Sequence, residues 1–283
     1  MLLMGLGYAG AAIARDALAL GFAVAGTARD PARAAGPAGA EVVAFDAAGP
    51  AIAAATHLVV TAAPGEGGDP VLAAWRPALE AAPALRWVGY LSTTGVYGDR
   101  GGAEVDEATP PAPGQPRSVR RLEAEAAWRG FAARRGLALD LFRVGGIYGP
   151  GRSALDEVRA GTARRVVKAG HLFSRIHRDD IALAVVAAAG APGGVRVLHL
   201  VDDEPAASAE VTAEAARLLR VPPPPEIPFA EAATRMSPMA LSFWSENRRV
   251  ANGATKAALG IAWRCPTYRE GLRRILAEED AQT

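Results

Sequence analysis

The chain has 283 residues, half of them apolar, which suffices for one large domain or for a domain with a smaller partner. Lys and Arg total 31 against 30 Asp and Glu, so the formal net charge of +1 gives no reason to expect nucleic acid or a membrane as partner. The single cysteine, Cys265, excludes an intrachain disulfide and a cysteine-cluster metal site.

Targeting signals are also missing from the sequence. The N-terminus carries no basic region followed by an apolar stretch, and no stretch of about 18 residues is apolar enough to span a bilayer. The histidines show no metal-ligand spacing. We therefore expect a cytoplasmic protein without a bound metal, whose partner is a small molecule.

Short apolar segments alternate with helical segments through the first two thirds of the chain. Taken in order, strands are predicted at residues 2–4, 22–26, 41–45, 57–62, 87–92 and 138–143, with a last strand at 195–200. Helices are predicted at residues 11–20, 70–81 and 117–135. This alternation predicts an α/β fold with a Rossmann-type, doubly wound parallel sheet, followed by a smaller helical lobe at the C-terminus.

The sharpest local motif is the glycine-rich segment Gly5-Leu6-Gly7-Tyr8-Ala9-Gly10, which follows the first strand and opens the first helix. Glycine permits the tight turn and lets the backbone approach a pyrophosphate, while the helix N-terminus presents free N–H groups to the phosphates. The motif predicts a dinucleotide site. The alternative is a glycine-rich turn that binds nothing.

The end of the second strand indicates which dinucleotide binds. NAD-binding proteins usually place an acid there for the ribose hydroxyl, whereas this segment has small residues followed by Arg29. A guanidinium suits a 2′-phosphate by bidentate contact, so the sequence favours NADP(H) over NAD(H). The alternative for Arg29 is a solvated surface residue. Asp30 is predicted to cap the helix that follows rather than to bind ribose.

Further motifs follow in order along the chain. A Leu-Ser-Thr-Thr-Gly-Val-Tyr-Gly segment at 91–98 is followed by Arg-Val-Gly-Gly-Ile-Tyr-Gly-Pro-Gly at 143–151 and by Ile-His-Arg-Asp-Asp-Ile at 176–181. The series resembles the extended short-chain dehydrogenase/reductases, also called the NAD-dependent epimerase/dehydratase family, over nearly the whole chain. The resemblance implies a Rossmann domain over residues 1–149, to which about 177–201 return, and a C-terminal substrate-binding lobe over 150–176 and 202–283.

The resemblance also implies roles for individual residues. The glycine loop would hold the pyrophosphate, although the family's longer glycine spacing usually starts one residue earlier, where this chain has Met4. Asp46 would contact adenine, and Thr93 would hydrogen-bond the reacting substrate oxygen. The residues expected on the cofactor, the last three beside the nicotinamide ribose, are Gly5, Gly7, Tyr8, Ala9, Gly10, Asp46, Ala62, Ala63 and Pro64.

One departure from the family limits the prediction of activity. A catalytic Tyr and a Lys four residues later normally carry the proton chemistry, and the matching positions hold Arg117 and Arg121. A guanidinium keeps its proton because its pKa lies above about 12, although Arg121 still suits a ribose or a phosphate. The candidate substitutes are Tyr97, Tyr148 and His177. The tyrosines are expected to pack in their glycine turns, and the histidine to help anchor the two lobes.

The segment 152–178 is locally basic. If its cations line the cleft, they favour an anionic substrate such as a phosphate, a carboxylate or a nucleotide-sugar diphosphate. Otherwise they form a solvated helix face. From this segment we expect Arg152, Arg175 and His177 to contact the substrate. The basic residues are Arg152, Arg159, Arg164, Arg165, Lys168, Arg175 and Arg178.

The sequence leaves three functions open. The leading hypothesis is an NADP(H)-dependent oxidoreductase or epimerase of atypical extended form, in which Thr93 orients the substrate oxygen and Arg121 stands in for the Lys. The second is a catalytically silent NADP(H)-binding sensor or regulatory protein, and the third is a nucleotide-sugar binder without redox chemistry. The resemblance also implies a homodimer formed through the long helices.

Overall fold

The computed structural model describes residues 1–34 and 36–281. Its strands are β1 Leu2–Met4, β2 Ala25–Ala28, β3 Glu41–Ala44, β4 His57–Val60, β5 Trp87–Thr93, β6 Glu104–Val105, β7 Ala138–Val144, β8 Gly146–Tyr148, β9 Arg165–Val167, β10 Arg175–His177, β11 Val195–Leu200, β12 Glu226–Pro228 and β13 Arg249–Val250. Its α-helices are α1 Tyr8–Ala19, α2 Gly49–Ala54, α3 Pro70–Ala81, α4 Pro116–Arg135, α5 Ala154–Arg159, α6 Arg178–Gly190, α7 Ser208–Leu218, α8 Phe229–Ala233, α9 Pro238–Trp244, α10 Gly253–Leu259 and α11 Tyr268–Asp280. Short 3-10 helices occupy Pro31–Arg33, Phe45–Ala47 and Thr94–Tyr97.

A seven-stranded sheet in the order β11-β7-β5-β4-β1-β2-β3 forms the centre of the molecule. All its neighbouring strands are parallel. The predicted Rossmann-type, doubly wound fold is therefore confirmed. The chain leaves β1 in one direction for β2 and β3, and in the other for β4 and β5. Ligands of such sheets bind beyond the carboxyl ends of the strands at this switch point.

Helices cover both faces of the sheet, which explains why its strands are almost wholly apolar. Side chains alternate between faces along a strand, so Leu3 packs in the cluster that includes α1 and α6. Its neighbours Leu2 and Met4 pack in the opposite cluster, which includes α2, α3 and α4. Burial on both faces fixes the register of these strands, and with it the positions of the loops at their carboxyl ends.

Two elements begin three residues away from their predicted starts. The second strand spans Ala25–Ala28 rather than residues 22–26. The backbone N–H of Phe22 donates to the Ala17 carbonyl, so this residue still belongs to the turn that ends α1. The first helix begins at Tyr8 rather than at residue 11, because Gly7 is already its N-cap and accepts the Ala11 N–H at 2.8 Å.

The segments after β7 build smaller units beside the sheet. β8 pairs with β10, β9 with β12, and β13 with β6. Helices α5, α7 and α11 share a separate core around Tyr148, Leu155 and Leu272. The predicted last strand returns to the central sheet as β11, beside β7. No helix of the described residues is long and apolar enough to cross a membrane.

Candidate functional site

In the glycine loop between β1 and α1, Gly5 and Gly10 pack closely against neighbouring atoms, whereas Gly7 faces open space. Gly5 has φ +121°, and a methyl group on it would collide with the Thr61 hydroxyl. That hydroxyl donates to the Gly5 carbonyl at 2.8 Å. A methyl group on Gly10 would collide with the same carbonyl. At Gly7 a methyl group would meet no atom within 4 Å, so this glycine leaves space for a ligand above the helix N-terminus.

Tyr8 turns its side chain away from the loop. Its hydroxyl donates to the Pro150 carbonyl at 3.0 Å, and burial raises its pKa although two arginines oppose the shift. The guanidinium carbon of Arg178 lies 4.9 Å from the ring centroid, and that of Arg152 lies 5.7 Å away. Arg152 therefore lies between the start of α1 and the turn at Pro150, and it does not line the main cleft described below.

The other predicted cofactor residues follow the carboxyl ends of neighbouring strands. Exposed Arg29 follows β2, and exposed Asp46 lies in the 3-10 helix after β3. Asp30 accepts the Ala32 N–H at 3.2 Å and so caps the 3-10 helix Pro31–Arg33, which confirms the predicted cap. The three residues 62–64, after β4, have different environments. Ala62 packs against the core, while Ala63 and Pro64 line the cleft.

A cleft of about 640 Å³ opens beyond the carboxyl ends of β4, β5 and β7. Of the residues for which the sequence predicts catalytic, cofactor or substrate roles, its lining includes Thr93, Arg121, Ala63, Pro64 and Arg175. Residues that sequence reasoning did not predict there are Ser118, Phe173, Phe243, Trp244, Glu246 and Arg248. A volume of this size is typical of small-molecule sites.

Two hydroxyl groups flank Gly95 at one wall of the cleft. The Thr93 hydroxyl oxygen accepts the Gly95 N–H at 3.1 Å. A Cβ atom on Gly95 would lie 3.3 Å from this oxygen and 2.7 Å from the Ser118 hydroxyl oxygen. The two hydroxyls therefore approach the same point from β5 and α4, where they can orient one substrate oxygen. Glycine at this position keeps both within reach.

The two arginines at the family's Tyr and Lys positions have different environments. Arg121 donates from Nη1 to the Leu91 carbonyl at 2.8 Å and to the Tyr90 hydroxyl at 3.2 Å, so β5 holds it in place. Arg117 has no hydrogen bond or ion pair with the described residues, and its guanidinium carbon lies 3.8 Å from the centroid of the Phe243 ring. Burial lowers the Arg117 pKa, but a guanidinium remains charged at neutral pH.

None of the three candidate substitutes for the catalytic Tyr lines the cleft. Tyr97 is fully buried, and its hydroxyl contacts His199 Nε2 at 2.5 Å and accepts from Arg143 at 2.8 Å. Tyr148 lines a second cavity of about 440 Å³ on the far side of Arg175, together with Arg152. Burial raises the pKa of both tyrosines. Their contacts fit the packing role that the sequence indicated.

His177 is fully buried beneath the second cavity. Its Nδ1 accepts the Asp179 N–H at 3.2 Å and thereby caps α6, and its ring meets that of Tyr148 edge to face at 5.3 Å. Burial lowers its pKa to about 4. The structure thus brings His177 into neither cavity lining and leaves it neutral, so it does not join Arg175 as a predicted substrate contact.

The remaining basic residues of 152–178 do not line the cleft, and several of them are bound to other protein groups. Arg159 pairs with Glu279 at 2.6 Å, and Arg165 with Glu226 at 3.0 Å. Lys168 donates to the Trp244 carbonyl. For these residues the solvated-face alternative holds, and Arg175 is the member of the set that lines the cleft.

An acid and an arginine reach the cleft from the segment before β13. Glu246 Oε2 accepts from Arg248 Nη1 at 2.8 Å, and Arg248 also donates to the Gly98 carbonyl at 2.7 Å. Buried Glu246 Oε1 has no hydrogen-bond partner. Within residues 1–34 and 36–281, no group of three or more His, Cys, Asp or Glu side chains is placed to hold a metal ion.

The fold and site define a Rossmann-type protein with a glycine loop at its first strand–helix turn and a cleft closed by C-terminal segments. A solved protein of unknown function from Silicibacter pomeroyi DSS is 42% identical, covers 98% of each chain and has a TM-score of 0.90. A proposed NAD-dependent epimerase/dehydratase from Methylobacillus flagellatus is 26% identical over 99% of this chain and 98% of the other, with a TM-score of 0.73. The chain is therefore similar, over nearly its whole length, to a protein described as an NAD-dependent epimerase/dehydratase, the family that its sequence motifs resemble.

Two further relatives are more distant or only partly covered. A human epimerase family protein solved with NADPH is 21% identical, with 98% of each chain covered and a TM-score of 0.75, which shows the fold alone. The 3-diazoavenalumate denitrifying reductase of Streptomyces sp is 34% identical over 184 residues, 60% of this chain, and the match spans 58% of that protein's length. No family model matches the chain.

Proposed function

We propose that the protein is an NADP(H)-dependent oxidoreductase or epimerase of atypical extended form, acting on a small anionic substrate. The observation that carries the proposal is the open face of the glycine loop at Gly7, with Arg29 following the adjacent strand β2. Space above a helix N-terminus fits a pyrophosphate, and an exposed guanidinium fits a 2′-phosphate. The relatives solved with NADPH or described as NAD-dependent support a nicotinamide cofactor.

We assign different roles in cofactor binding and substrate binding to the residues of the cleft. When bound, NADP(H) supplies or accepts a hydride. Ala63 and Pro64 would flank the nicotinamide ribose, and the Thr93 and Ser118 hydroxyls would orient the reacting oxygen by hydrogen bonds. Arg117 would bind an anionic group of the substrate beside that oxygen, without giving up a proton. Arg121, fixed by the Leu91 carbonyl, adds positive charge beside the ribose site.

A catalytically silent NADP(H)-binding sensor is the second candidate. The observation in its favour is that arginines stand at the Tyr and Lys positions while Tyr97, Tyr148 and His177 lie outside the cleft lining. Such a protein would bind the cofactor with the same loop and Arg29. It would turn over no substrate.

The proposal is tested by titrating NADPH and NADH into the wild type, Arg29→Ala and Arg129→Ala, with nicotinamide fluorescence as the readout. Arg129 is an exposed arginine of α4 and serves as the matched control. Loss of a charge-assisted contact costs about 1.5–3 kcal/mol, so Arg29→Ala should weaken NADPH roughly 10- to 150-fold and leave NADH unchanged. If neither nucleotide binds, the proposal is wrong, and a nucleotide-sugar binder without redox chemistry becomes the favoured function.

We further propose that the protein is a cytoplasmic homodimer. Light scattering after size-exclusion chromatography should give twice the mass of the 29.2 kDa chain. A monomer at micromolar concentration would contradict this.

A further inference from the structure

The cleft has an aromatic wall on its C-terminal side. Phe173 and Trp244 meet edge to face with ring centroids 5.0 Å apart and an interplanar angle of 87°. Phe229 and His171 support Trp244 from behind, each at a centroid distance of 5.3 Å. Phe243 remains 53% exposed. An exposed aromatic ring at the mouth of a cleft loses water only when a ligand covers it, so this wall favours a flat apolar ligand group.

Positive charge lies directly on this wall. Arg117 stacks on Phe243 and lacks any hydrogen-bond acceptor among the described residues. The guanidinium carbon of Arg175 lies 5.7 Å from the Phe173 ring centroid, and its hydrogen bonds, to the Phe173 and Ala206 carbonyls, use Nη1 alone.

Glu246, an acid in the cleft lining, is paired with Arg248 rather than with Arg117 or Arg175. Its charge also attracts Arg117 and opposes the lowering of the Arg117 pKa, but Arg117 has no ion pair within 4.0 Å in the described structure. Partly buried arginines with free N–H groups are strong carboxylate sites, because bidentate hydrogen bonds add to the charge attraction. The cleft therefore combines an aromatic surface with an unused anion site.

We propose that the substrate is a small aromatic carboxylate, whose carboxylate binds Arg117 and whose ring packs between Phe243 and Phe173. The inference rests on the proposed function, since the same cleft would hold the nicotinamide. Arg117 follows the α4 N-terminus and neighbours Ser118, so the anion would lie close to the hydroxyls that orient the reacting oxygen.

Isothermal titration calorimetry on the full chain saturated with NADP⁺ tests the proposal. The probes are benzoate, phenylacetate and trans-cinnamate, with benzamide as the uncharged control, cyclohexanecarboxylate as the non-aromatic control and UDP-glucose as the rival. At least one aromatic acid should bind about tenfold more tightly than benzamide and cyclohexanecarboxylate, because each control lacks one of the two contacts.

Variants then locate the binding site. Arg117→Gln and Phe243→Leu should each weaken the best aromatic acid about tenfold or more, whereas Arg129→Gln, on the exposed face of the same helix, should not. NADPH binding by each variant serves as the check that it has folded.

The outcomes separate the inference from the function on which it rests. NADPH binding without binding of any aromatic acid, or tighter binding of UDP-glucose, overturns the substrate class and leaves the cofactor proposal standing. Equal losses in Arg117→Gln and Arg129→Gln also overturn it, because the anion would then bind by general charge attraction. Failure of NADPH to bind the wild type refutes the proposed function itself.

Discussion

The glycine loop allows a prediction in which folding and binding respond to different residues. Replacing Gly5 by alanine puts an L side chain at φ +121° and directs its methyl group into the Thr61 hydroxyl. The left-handed conformation costs about 1–2 kcal/mol, and displacement of the hydroxyl that donates to the Gly5 carbonyl costs about 1 kcal/mol more. The variant should therefore lose about 2–3 kcal/mol of unfolding free energy.

That loss converts to a shift in melting temperature. With about 2.1 cal/mol/K of unfolding entropy per residue, a chain of 283 residues should melt about 3–5 °C lower after Gly5→Ala. Gly7→Ala is the matched control, since a methyl group there meets no atom within 4 Å. Its melting temperature should stay within about 1 °C of the wild type.

NADPH binding, unlike stability, should be sensitive to Gly7→Ala. The added methyl group of Gly7→Ala would occupy the space proposed for the pyrophosphate, so NADPH affinity should fall at least about tenfold in the absence of any stability change. Differential scanning calorimetry and fluorescence titration on the same preparations measure both quantities. Wild-type NADPH affinity in Gly7→Ala would refute the reasoning, because no ligand would then approach the loop at its open glycine.

Two further predictions concern buried charges. Buried Glu125 accepts hydrogen bonds from Arg143 and Ser92. Glu125→Leu leaves the Arg143 charge buried without a partner, so it should lower the free energy of unfolding by about 3–5 kcal/mol. The double variant Glu125→Leu/Arg143→Met should recover at least half of that loss. Unfolding free energies that simply add would contradict this coupling. Burial raises the Asp202 pKa to about 8, so the folded state holds a proton that the unfolded state loses above about pH 4. The contribution of Asp202 to the free energy of unfolding is therefore greatest below pH 4 and decreases as the pH rises to 8. The melting temperature of wild type should therefore drop relative to Asp202→Asn between pH 5 and 8; a constant difference would contradict the assigned pKa.

The sheet was predictable because its strands are buried on both faces. Residues 70–81 and 195–200 coincide with α3 and β11, where turn residues bound continuous apolar or amphipathic runs. The second strand was misplaced because Phe22 is apolar but completes the turn of α1. Apolar character alone does not distinguish a helix end from a strand start.

The candidate site was predictable only where a local motif carried it. Thr93, Ala63 and Pro64 follow strand ends, and the parallel sheet brings those ends together. Phe243 and Glu246 reach the cleft from more than a hundred residues further along the chain, and no spacing rule connects them with Thr93. His177 was considered as an acid–base residue because the unperturbed pKa of histidine lies near neutrality. Burial and its role as the cap of α6 instead keep it neutral.

The arginine at the family's Tyr position changes what the cleft can do with a substrate oxygen. A phenol can both stabilise an oxyanion and deliver a proton to it, whereas a guanidinium supplies only the stabilisation. Proton delivery then falls to water, because Glu246, the carboxyl group in the described lining of the cleft, is paired with Arg248. A hydride transfer whose product is itself a stable anion would need no proton donor at this position. Under the proposed function, the cleft would therefore combine hydride transfer with charge stabilisation, and activity would depend on the anionic group of the substrate as much as on the cofactor.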